Sequence, residues 1–273
     1  MFSFCIRSKK PVEKSISLFS SPRPAEISLR PDLSLLFIRK DGMVCMIAFE
    51  KITAPLKFNI ALWGPSGAGK SYTALALAHR LGTKIAVADT EHQATGFYTA
   101  RFPALVAKVE PPFPPEVFLD ILDSAERQGF DVLVFDSLSP EWDGAGGCLA
   151  LKEEMERKGQ KGVRAWKTIT PRHEALLQRI NQSPLSIITT LREKPRVALE
   201  LGESGKTQVR DAAPRPVMRE RYEFEYDLVL HITMDHRVTA TKSRLLQLPE
   251  GRTIKADHQL LNAVQAAKTG SGG

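Results

Sequence analysis

The sequence predicts an α/β fold in which a mostly parallel central sheet is covered by helices on both faces. Five short apolar segments have the length and composition of buried strands, and they lack the strict alternation of half-exposed strands. Apart from the first, they are separated by segments long enough for the helical crossovers that parallel strands require. The five candidate strands are residues 57–63, 84–89, 131–135, 185–190 and 228–233.

Three further segments have helical patterns. Residues 116–127 repeat apolar side chains at helical spacing, and residues 171–180 form a second helix with Pro171 in its first turn. Residues 257–267 form a closing helix, capped by Asp257. We also expect residues 237–241 and 244–248 to form a final antiparallel pair of strands.

The bulk composition suits one large domain with appendages. The chain has 273 residues, of which 42% are hydrophobic, and no apolar run approaches the roughly 20 residues needed to span a membrane. The three cysteines show no metal or disulfide spacing, so we expect reduced thiols and a cytoplasmic protein. The net charge of +7 is concentrated in residues 1–42, 151–172 and 192–221.

The first 45 residues are predicted to be a poorly structured extension, because they are rich in Ser and Pro and show no sustained period. Four interpretations of this extension remain open. It is a disordered tail, a basic arm or a targeting peptide, or translation starts at Met43 or Met46. Residues 46–268 then form the main domain, and residues 269–273 a flexible tail. We expect a chain starting at Met46 to fold and to keep its binding properties.

A phosphate-binding motif follows the first candidate strand. Its pattern is G-x-x-x-x-G-K-[ST], and the helical segment 73–81 comes directly after it, as the motif requires. Its backbone N–H groups should cradle the phosphates of a nucleotide, while Lys70 reaches the β- and γ-phosphates and Ser71 binds Mg²⁺. The predicted nucleotide-binding residues are Gly64, Pro65, Ser66, Gly67, Ala68, Gly69, Lys70, Ser71 and Tyr72.

Polar residues at the ends of three other candidate strands extend this site. Asp136 ends a Walker B-like strand and is predicted to hold Mg²⁺ opposite Ser71. Glu91 is predicted to orient or deprotonate the water that attacks the γ-phosphate, and Thr190 or Arg192 to sense that phosphate. The alternatives are a strand-end cap for Asp136, a solvated carboxylate for Glu91, and an ordinary strand end near Arg192.

These three motifs together resemble the core of RecA/RadA-type recombinase ATPases. A narrower resemblance, over about residues 46–250, is to small phage-encoded RecA-like ATP-binding proteins, some of which act in single-strand annealing. It depends on the segments 136–147, 170–173 and 216–219 and on Trp166. The resemblance implies a RecA-like core with the P-loop strand inside the sheet, Glu91 as catalytic glutamate, and ATP hydrolysis coupled to homo-oligomer assembly. Residues 1–42 match nothing in it.

The resemblance also implies that the loops after the third and fourth candidate strands face single-stranded DNA. Here these are residues 139–172 and 192–221, where Lys and Arg would contact phosphates and Trp142 could stack on a base. The alternative is two solvated loops, with Trp142 and Trp166 packed in the core. The basic candidates are Lys158, Lys161, Arg164, Lys167, Arg192, Lys194, Arg196, Lys206 and Arg210, and Gly202 and Gly205 predict a mobile second loop.

Lys242 and Arg244 are candidates for a second catalytic role. If their segment is extended, both side chains lie on one face of the strand. The resemblance implies that such a pair reaches the nucleotide of a neighbouring subunit and neutralises charge on the transferred phosphoryl group. The alternative is two solvated residues that protect a sheet edge from aggregation.

Two other classes of function remain open from the sequence. A P-loop small-molecule kinase would use residues 192–221 as an Arg-rich lid over its acceptor. An ATP-dependent assembly or loader protein would bind ATP without appreciable turnover.

Overall fold

The computed structural model describes residues 5–7, 34–40, 43–49, 56–91, 94–201 and 207–269. The chain divides into two compact units, Met1–Ala54 and Pro55–Gly273. The division falls nine residues after the predicted boundary between Cys45 and Met46. The predicted tail beyond Thr269 lies outside the described residues.

The first unit contains a three-stranded antiparallel sheet, where the sequence analysis predicted no regular element. Its strands are β1 (Cys5–Arg7), β2 (Ser34–Lys40) and β3 (Met43–Phe49), in the order β1-β3-β2. β2 and β3 are apolar runs separated in the sequence by Asp41-Gly42, a pair typical of two-residue hairpin turns. This local signal indicates the hairpin, although the surrounding residues carry no sustained pattern.

The second unit is built on a nine-stranded sheet in the order β12-β11-β10-β4-β8-β7-β5-β6, with β9 paired to β8. Its strands are β4 (Asn59–Gly64), β5 (Ile85–Asp89), β6 (Leu105–Lys108), β7 (Val132–Asp136), β8 (Ser186–Leu201), β9 (Thr207–Pro216), β10 (Leu228–Ile232), β11 (Arg237–Ser243) and β12 (Thr253–Lys255). The run from β10 to β6 is parallel. All five predicted strands are therefore confirmed, as is the mostly parallel α/β class, and the P-loop strand β4 lies inside the sheet.

Six helices cover the described part of the sheet. They are α1 (Lys70–Leu81), α2 (Pro115–Arg127), α3 (Ser139–Asp143), α4 (Cys148–Arg157), α5 (Val163–Gln182) and α6 (His258–Thr269). Gln259 donates its backbone N–H to the Asp257 carboxylate over 2.9 Å, which confirms the predicted cap of α6. No helix among the described residues is long and apolar enough to cross a membrane.

Both faces of the sheet are buried, which explains why the strands do not alternate between apolar and polar residues. Along β4, Ile60 and Leu62 face the core that holds α1 and α6, whereas Ala61 and Trp63 face the core of α2 and α5. Successive side chains of a strand point to opposite faces, so a strand covered on both sides must be apolar throughout. The parallel strands thus end at a common edge that is supported from both faces.

Two predicted elements differ from the structure. α5 begins at Val163, eight residues before Pro171, so this proline lies inside the helix rather than in its first turn. The expected strand 244–248 is absent from the described structure, and β11 pairs instead with β10 and β12. Pro171 is typical of a first turn, but the buried residues Ala165 and Ile169 show that the packed helix begins well before it.

The second basic segment also differs from its prediction. β8 continues past Thr190 to Leu201 and pairs antiparallel with β9, so residues 193–201 and 207–216 form the two strands of a β8–β9 hairpin where a loop was expected. Gly202 and Gly205, on which the predicted mobility rests, and the basic candidate Lys206 lie outside the described residues. Cross-strand pairing of this length is a non-local property, which glycine content alone does not predict.

Candidate functional site

The phosphate-binding motif forms the connection between β4 and α1. A Cβ atom on Gly64 would lie 2.1 Å from the carbonyl oxygen of Ile232, so only glycine fits beside β10. Gly67 and Gly69 have φ angles of 82° and 90°, in the left-handed region that glycine adopts without strain. This backbone wraps the loop around the N-terminus of α1, where N–H groups and the helix dipole favour an anion.

Lys70 lies across this loop. Its Nζ atom donates hydrogen bonds to the carbonyl oxygens of Gly64, at 3.0 Å, and Pro65, at 2.8 Å. Burial lowers the pKa of Lys70, although the nearby carboxylates of Glu91 and Asp136 oppose this shift. A buried ammonium that is only partly compensated will gain from an anionic phosphate beside it.

Asp136 is the corresponding buried anion. Its two carboxylate oxygens accept hydrogen bonds from the hydroxyls of Thr190, at 2.6 Å, and Thr95, at 3.1 Å. Burial raises the pKa of Asp136, and the hydrogen bonds from Thr190, Ser71 and Thr95 only partly offset it. The contact with Ser71 places a hydroxyl and a carboxylate side by side, and these are the hard oxygen donors that Mg²⁺ prefers. The residues present therefore fit a magnesium ion beside the phosphates.

Glu91 lies at the rim of the same region, just after β5. Its Oε1 atom accepts a hydrogen bond from Nε of Arg192 over 2.8 Å, and its backbone N–H donates to Oδ1 of Asp89 over 2.7 Å. Asp89 is buried, and its other carboxylate oxygen accepts from the backbone N–H of Thr95. Asp89 therefore shapes the loop that presents Glu91. The sequence analysis missed this role, although Asp89 ends β5 as Asp136 ends β7.

These side chains surround one cleft of about 400 Å³. The structure thus brings together the predicted residues Lys70, Ser71, Glu91 and Asp136, and it adds Tyr98 and Glu193, which the sequence analysis missed. Glu193 directly follows Arg192 at a predicted strand end, so its position could have been predicted from the sequence. Tyr98 lies on a short 3₁₀ helix, and no sequence pattern marks it as a site residue. The cleft is lined by Gly64, Ser66, Gly67, Gly69, Lys70, Ser71, Glu91, Tyr98, Asp136, Thr190, Arg192 and Glu193.

Three residues of the predicted nucleotide site do not line the cleft: Pro65 and Ala68 of the motif, and Tyr72, which follows it. The ring of Tyr72 packs edge-on against Tyr98, with 5.8 Å between centroids, and against Phe102, at 5.1 Å. Tyr72 thus supports Tyr98, which does line the cleft.

Lys242 and Arg244 lie at the opposite end of the sheet. Lys242 pairs with Val229 near the start of β10, whereas the phosphate-binding loop follows the far end of β4. Lys242 donates to the carbonyl oxygens of Glu223 and Tyr226, and Arg244 forms an ion pair of 2.8 Å with Asp227. Within one chain, neither cation reaches the cleft.

Trp142 is buried, with 9% of its surface exposed, and it stacks on Trp166 with ring centroids 5.6 Å apart. It is therefore not available to stack on a base, and the prediction that it would do so is wrong. The alternative, in which both tryptophans pack in the core, describes their position. The physical reason is that α3 turns Trp142 inward against α5 directly after β7.

A buried polar cluster supports the segment after Asp136. Glu141 is fully buried, contacts Nδ1 of His173 at 3.0 Å, and accepts from the Cys148 thiol at 3.1 Å. Burial raises the pKa of Cys148, and the neighbouring Glu141 carboxylate adds to this shift. The cluster joins α3, α4 and α5, so it fixes the helices that follow the Walker B strand. Sequence patterns alone did not reveal it.

The family described as an AAA domain matches residues 56–258, which is most of the chain. The chain belongs to this AAA domain family. Among solved structures, the RadB recombinase is similar with a TM-score of 0.41 and 18% identity, over 73% of this chain and 86% of that one. An ATPase from the type III secretion system of pathogenic bacteria has a TM-score of 0.39 and 18% identity, over 70% and 54%. No curated protein matches the sequence of this chain.

Both TM-scores lie below 0.5, so the activity of neither neighbour is assigned to this AAA domain. The motif, the central position of β4 and the family membership agree with one another. This AAA domain is an ATP-binding protein with a P-loop core.

Asp136→Asn should stabilise the AAA domain without ligand while weakening Mg²⁺-dependent nucleotide binding. The raised pKa of Asp136 means that its ionised form destabilises the fold. The gain should therefore be absent at low pH, where the carboxyl is protonated in both states, and should appear as pH rises above about 4. Thermal unfolding across pH and nucleotide titrations with and without Mg²⁺ check both parts; an unchanged Mg²⁺ dependence would contradict the assigned role.

Proposed function

We propose that this AAA domain is a Mg²⁺-dependent ATPase that acts on single-stranded DNA, in recombination or annealing of the phage type, in bacterial or phage-infected host cytoplasm. The observation that carries the ATPase part is the convergence of a cation, a magnesium-type carboxylate and a second carboxylate on one cleft. Those groups are Lys70, Asp136 and Glu91, from three different strand ends. Family membership supports ATP binding, and the geometry supports hydrolysis.

In this mechanism each side chain has one task. The ammonium group of Lys70 exchanges its hydrogen bonds to the carbonyls of Gly64 and Pro65 for contacts with the β- and γ-phosphates, where it offsets negative charge. Ser71 and Asp136 would hold Mg²⁺, which supplies charge neutralisation at the phosphates when bound. Glu91 accepts the proton of the attacking water.

Arg192 links this chemistry to the hairpin. It holds Oε1 of Glu91 at 2.8 Å and stands where β8 leaves the cleft toward the β8–β9 hairpin. A change in the hairpin is thus transmitted to the carboxylate through one side chain. This connection supports a role for Arg192 in sensing the γ-phosphate. Thr190 is the weaker candidate for that role, because its hydroxyl already donates a hydrogen bond to Asp136.

Glu91→Gln should leave ATP binding intact and slow turnover at least ~10²-fold, the scale of a positioned base. The amide keeps the size of the side chain but cannot accept the proton. Steady-state hydrolysis and equilibrium binding give the two readings, with Glu154→Gln on the exposed surface of α4 as the matched control. Unchanged turnover would show that Glu91 is a solvated loop carboxylate without a catalytic role. Assembly driven by ATP without wild-type turnover would favour the loader alternative.

The DNA part of the proposal is supported by two basic regions. Lys161, Arg164 and Lys167 are exposed at or beside the start of α5. Lys194 and Arg196 lie on the β8 side of the hairpin that begins at the cleft. Acidic residues are interleaved in both regions, and Lys158 is already paired with Glu154. Contacts to the phosphates of a strand would therefore come from the remaining cations, without base readout.

Binding to single-stranded DNA should weaken steeply as salt increases, because each phosphate contact releases counterions. Reversing the charge of Lys161 with Arg164, or of Lys194 with Arg196, should weaken binding to all sequences about equally and reduce the salt slope. Reversal of Arg252 and Lys255, both exposed beside or on β12, serves as the control. Salt-independent binding, or none by the wild type with ATP, would refute the DNA partner.

We further propose that the protein assembles into homo-oligomers in which Lys242 and Arg244 reach the cleft of a neighbouring copy. Because both lie at the opposite end of the sheet from their own loop, any contact with nucleotide requires a second chain. Lys242 would then leave the carbonyls of Glu223 and Tyr226, and Arg244 would leave Asp227.

Arg244→Ala should keep its ATP affinity and lose most turnover, because a cation supplied to the transferred phosphoryl group by a neighbouring chain contributes about 10³-fold or more in rate. Mixing this variant with Glu91→Gln should restore some activity, since one interface then pairs an intact Glu91 with an intact Arg244. Asp227→Asn, which breaks the ion pair but keeps Arg244, is the control and should stay active. Mixed oligomers that form without regaining activity would exclude the role, as would full activity of the wild-type monomer.

A further inference from the structure

The turn between β10 and β11 packs against the phosphate-binding loop. Within it, Nδ1 of His236 lies 3.1 Å from the carbonyl oxygen of Ala68. Since a carbonyl oxygen can only accept, Nδ1 carries the proton and donates it. A Cβ atom placed on the next residue, Gly69, would lie 3.5 Å from the same nitrogen. The imidazole ring is therefore in direct contact with the centre of the loop.

We propose that His236 is a positioning residue for ATP binding, which holds the Ala68–Gly69 peptide with the Gly69 N–H directed at a phosphate. The inference rests on the proposed nucleotide function of the loop. In a trans peptide, the carbonyl and the following N–H point in opposite directions. The Ala68 carbonyl points toward His236, so the Gly69 N–H points to the other side, and Gly69 lines the cleft.

This peptide needs an external hold because its neighbours are glycines. Gly67 and Gly69 both adopt left-handed φ angles, and glycine has little intrinsic preference among the accessible backbone conformations. A rotated peptide would aim the Ala68 carbonyl at the phosphate and oppose binding. The carbonyls of Gly64 and Pro65 accept hydrogen bonds from Lys70, which is needed at the phosphates, and Pro65 also accepts one from the backbone N–H of Ala68. The contact from His236 does not compete with the ligand.

His236 is itself held in place at both ends of its backbone. Its N–H donates to the carbonyl of Thr233 and its carbonyl accepts from the N–H of Ala256, both over 2.9 Å. Its φ angle of 57° is left-handed, which is uncommon outside glycine, asparagine and aspartate. The turn therefore presents the ring in one direction, and substitutions must respect this backbone.

Three variants separate the donor from the backbone. His236→Asn keeps a donor at the same distance along the side chain and tolerates a left-handed φ. His236→Gly tolerates the same φ but removes the donor. His236→Asp has the size of asparagine but offers only acceptors, which face the Ala68 carbonyl unfavourably. All three suit the turn, and thermal unfolding verifies that each is folded.

Calorimetric titration with ATP–Mg²⁺ and with inorganic pyrophosphate, which has no base or ribose, tests the inference. We expect His236→Asn to bind within about twofold of the wild type, and His236→Gly to bind about two- to tenfold more weakly, the net worth of one hydrogen bond. His236→Asp should bind most weakly, and both ligands should show the same order. If His236→Gly binds as tightly as the wild type, the inference is wrong. It is also wrong if His236→Gly binds more weakly and His236→Asn binds equally weakly. Either result leaves the proposed function standing. Absence of ATP binding by the wild type would overturn the proposed function and this inference with it.

Discussion

The chemistry of this AAA domain depends on the parallel register of five adjacent strands. β4 lies between β10 and β8, and β7 and β5 follow in the same direction, with Asp89 of β5 opposite Asp136 of β7. Parallel strands end at a common edge, so residues far apart in the chain meet there. The strands also approach one another closely: Ile232 of β10 leaves no room for a side chain at position 64, where the chain has glycine.

Burial of opposite charges prepares this edge for a nucleotide. The pKa of Lys70 is lowered by burial, and the pKa of Asp136 is raised by it. Each shift means that the ionised form is poorly compensated in the protein alone. Phosphates beside Lys70 and a cation beside Asp136 would remove both penalties together. The site therefore costs stability in the absence of ligand, which is the usual relation between a functional site and its fold.

The elements around the cleft determine how its state is communicated. The β8–β9 hairpin grows directly from the strand that carries Thr190 and Arg192, and the turn after β10 touches the phosphate-binding loop through His236. On the far side, the Glu141–His173 contact joins α3, the first helix after β7, to α5. The hairpin thus contributes Arg192 and Glu193 to the cleft, and the β10–β11 turn contacts the phosphate-binding loop through His236.

The sequence by itself determined the fold class, the five strands that carry the site, and the positions of Lys70, Ser71, Glu91 and Asp136. These follow from local signals: continuous apolar runs, a glycine-rich motif with restricted backbone, and polar residues at strand ends. Only the tertiary structure decided that β8 extends to Leu201 and pairs with β9, that Trp142 is buried, and that Lys242 lies far from the loop of its own chain. It also placed Tyr98 and Glu193 at the cleft, His236 against the phosphate-binding loop, and Asp89 under the segment that carries Glu91. Each of these depends on strand register and long-range packing, which bring together residues whose local sequence carries no periodic pattern.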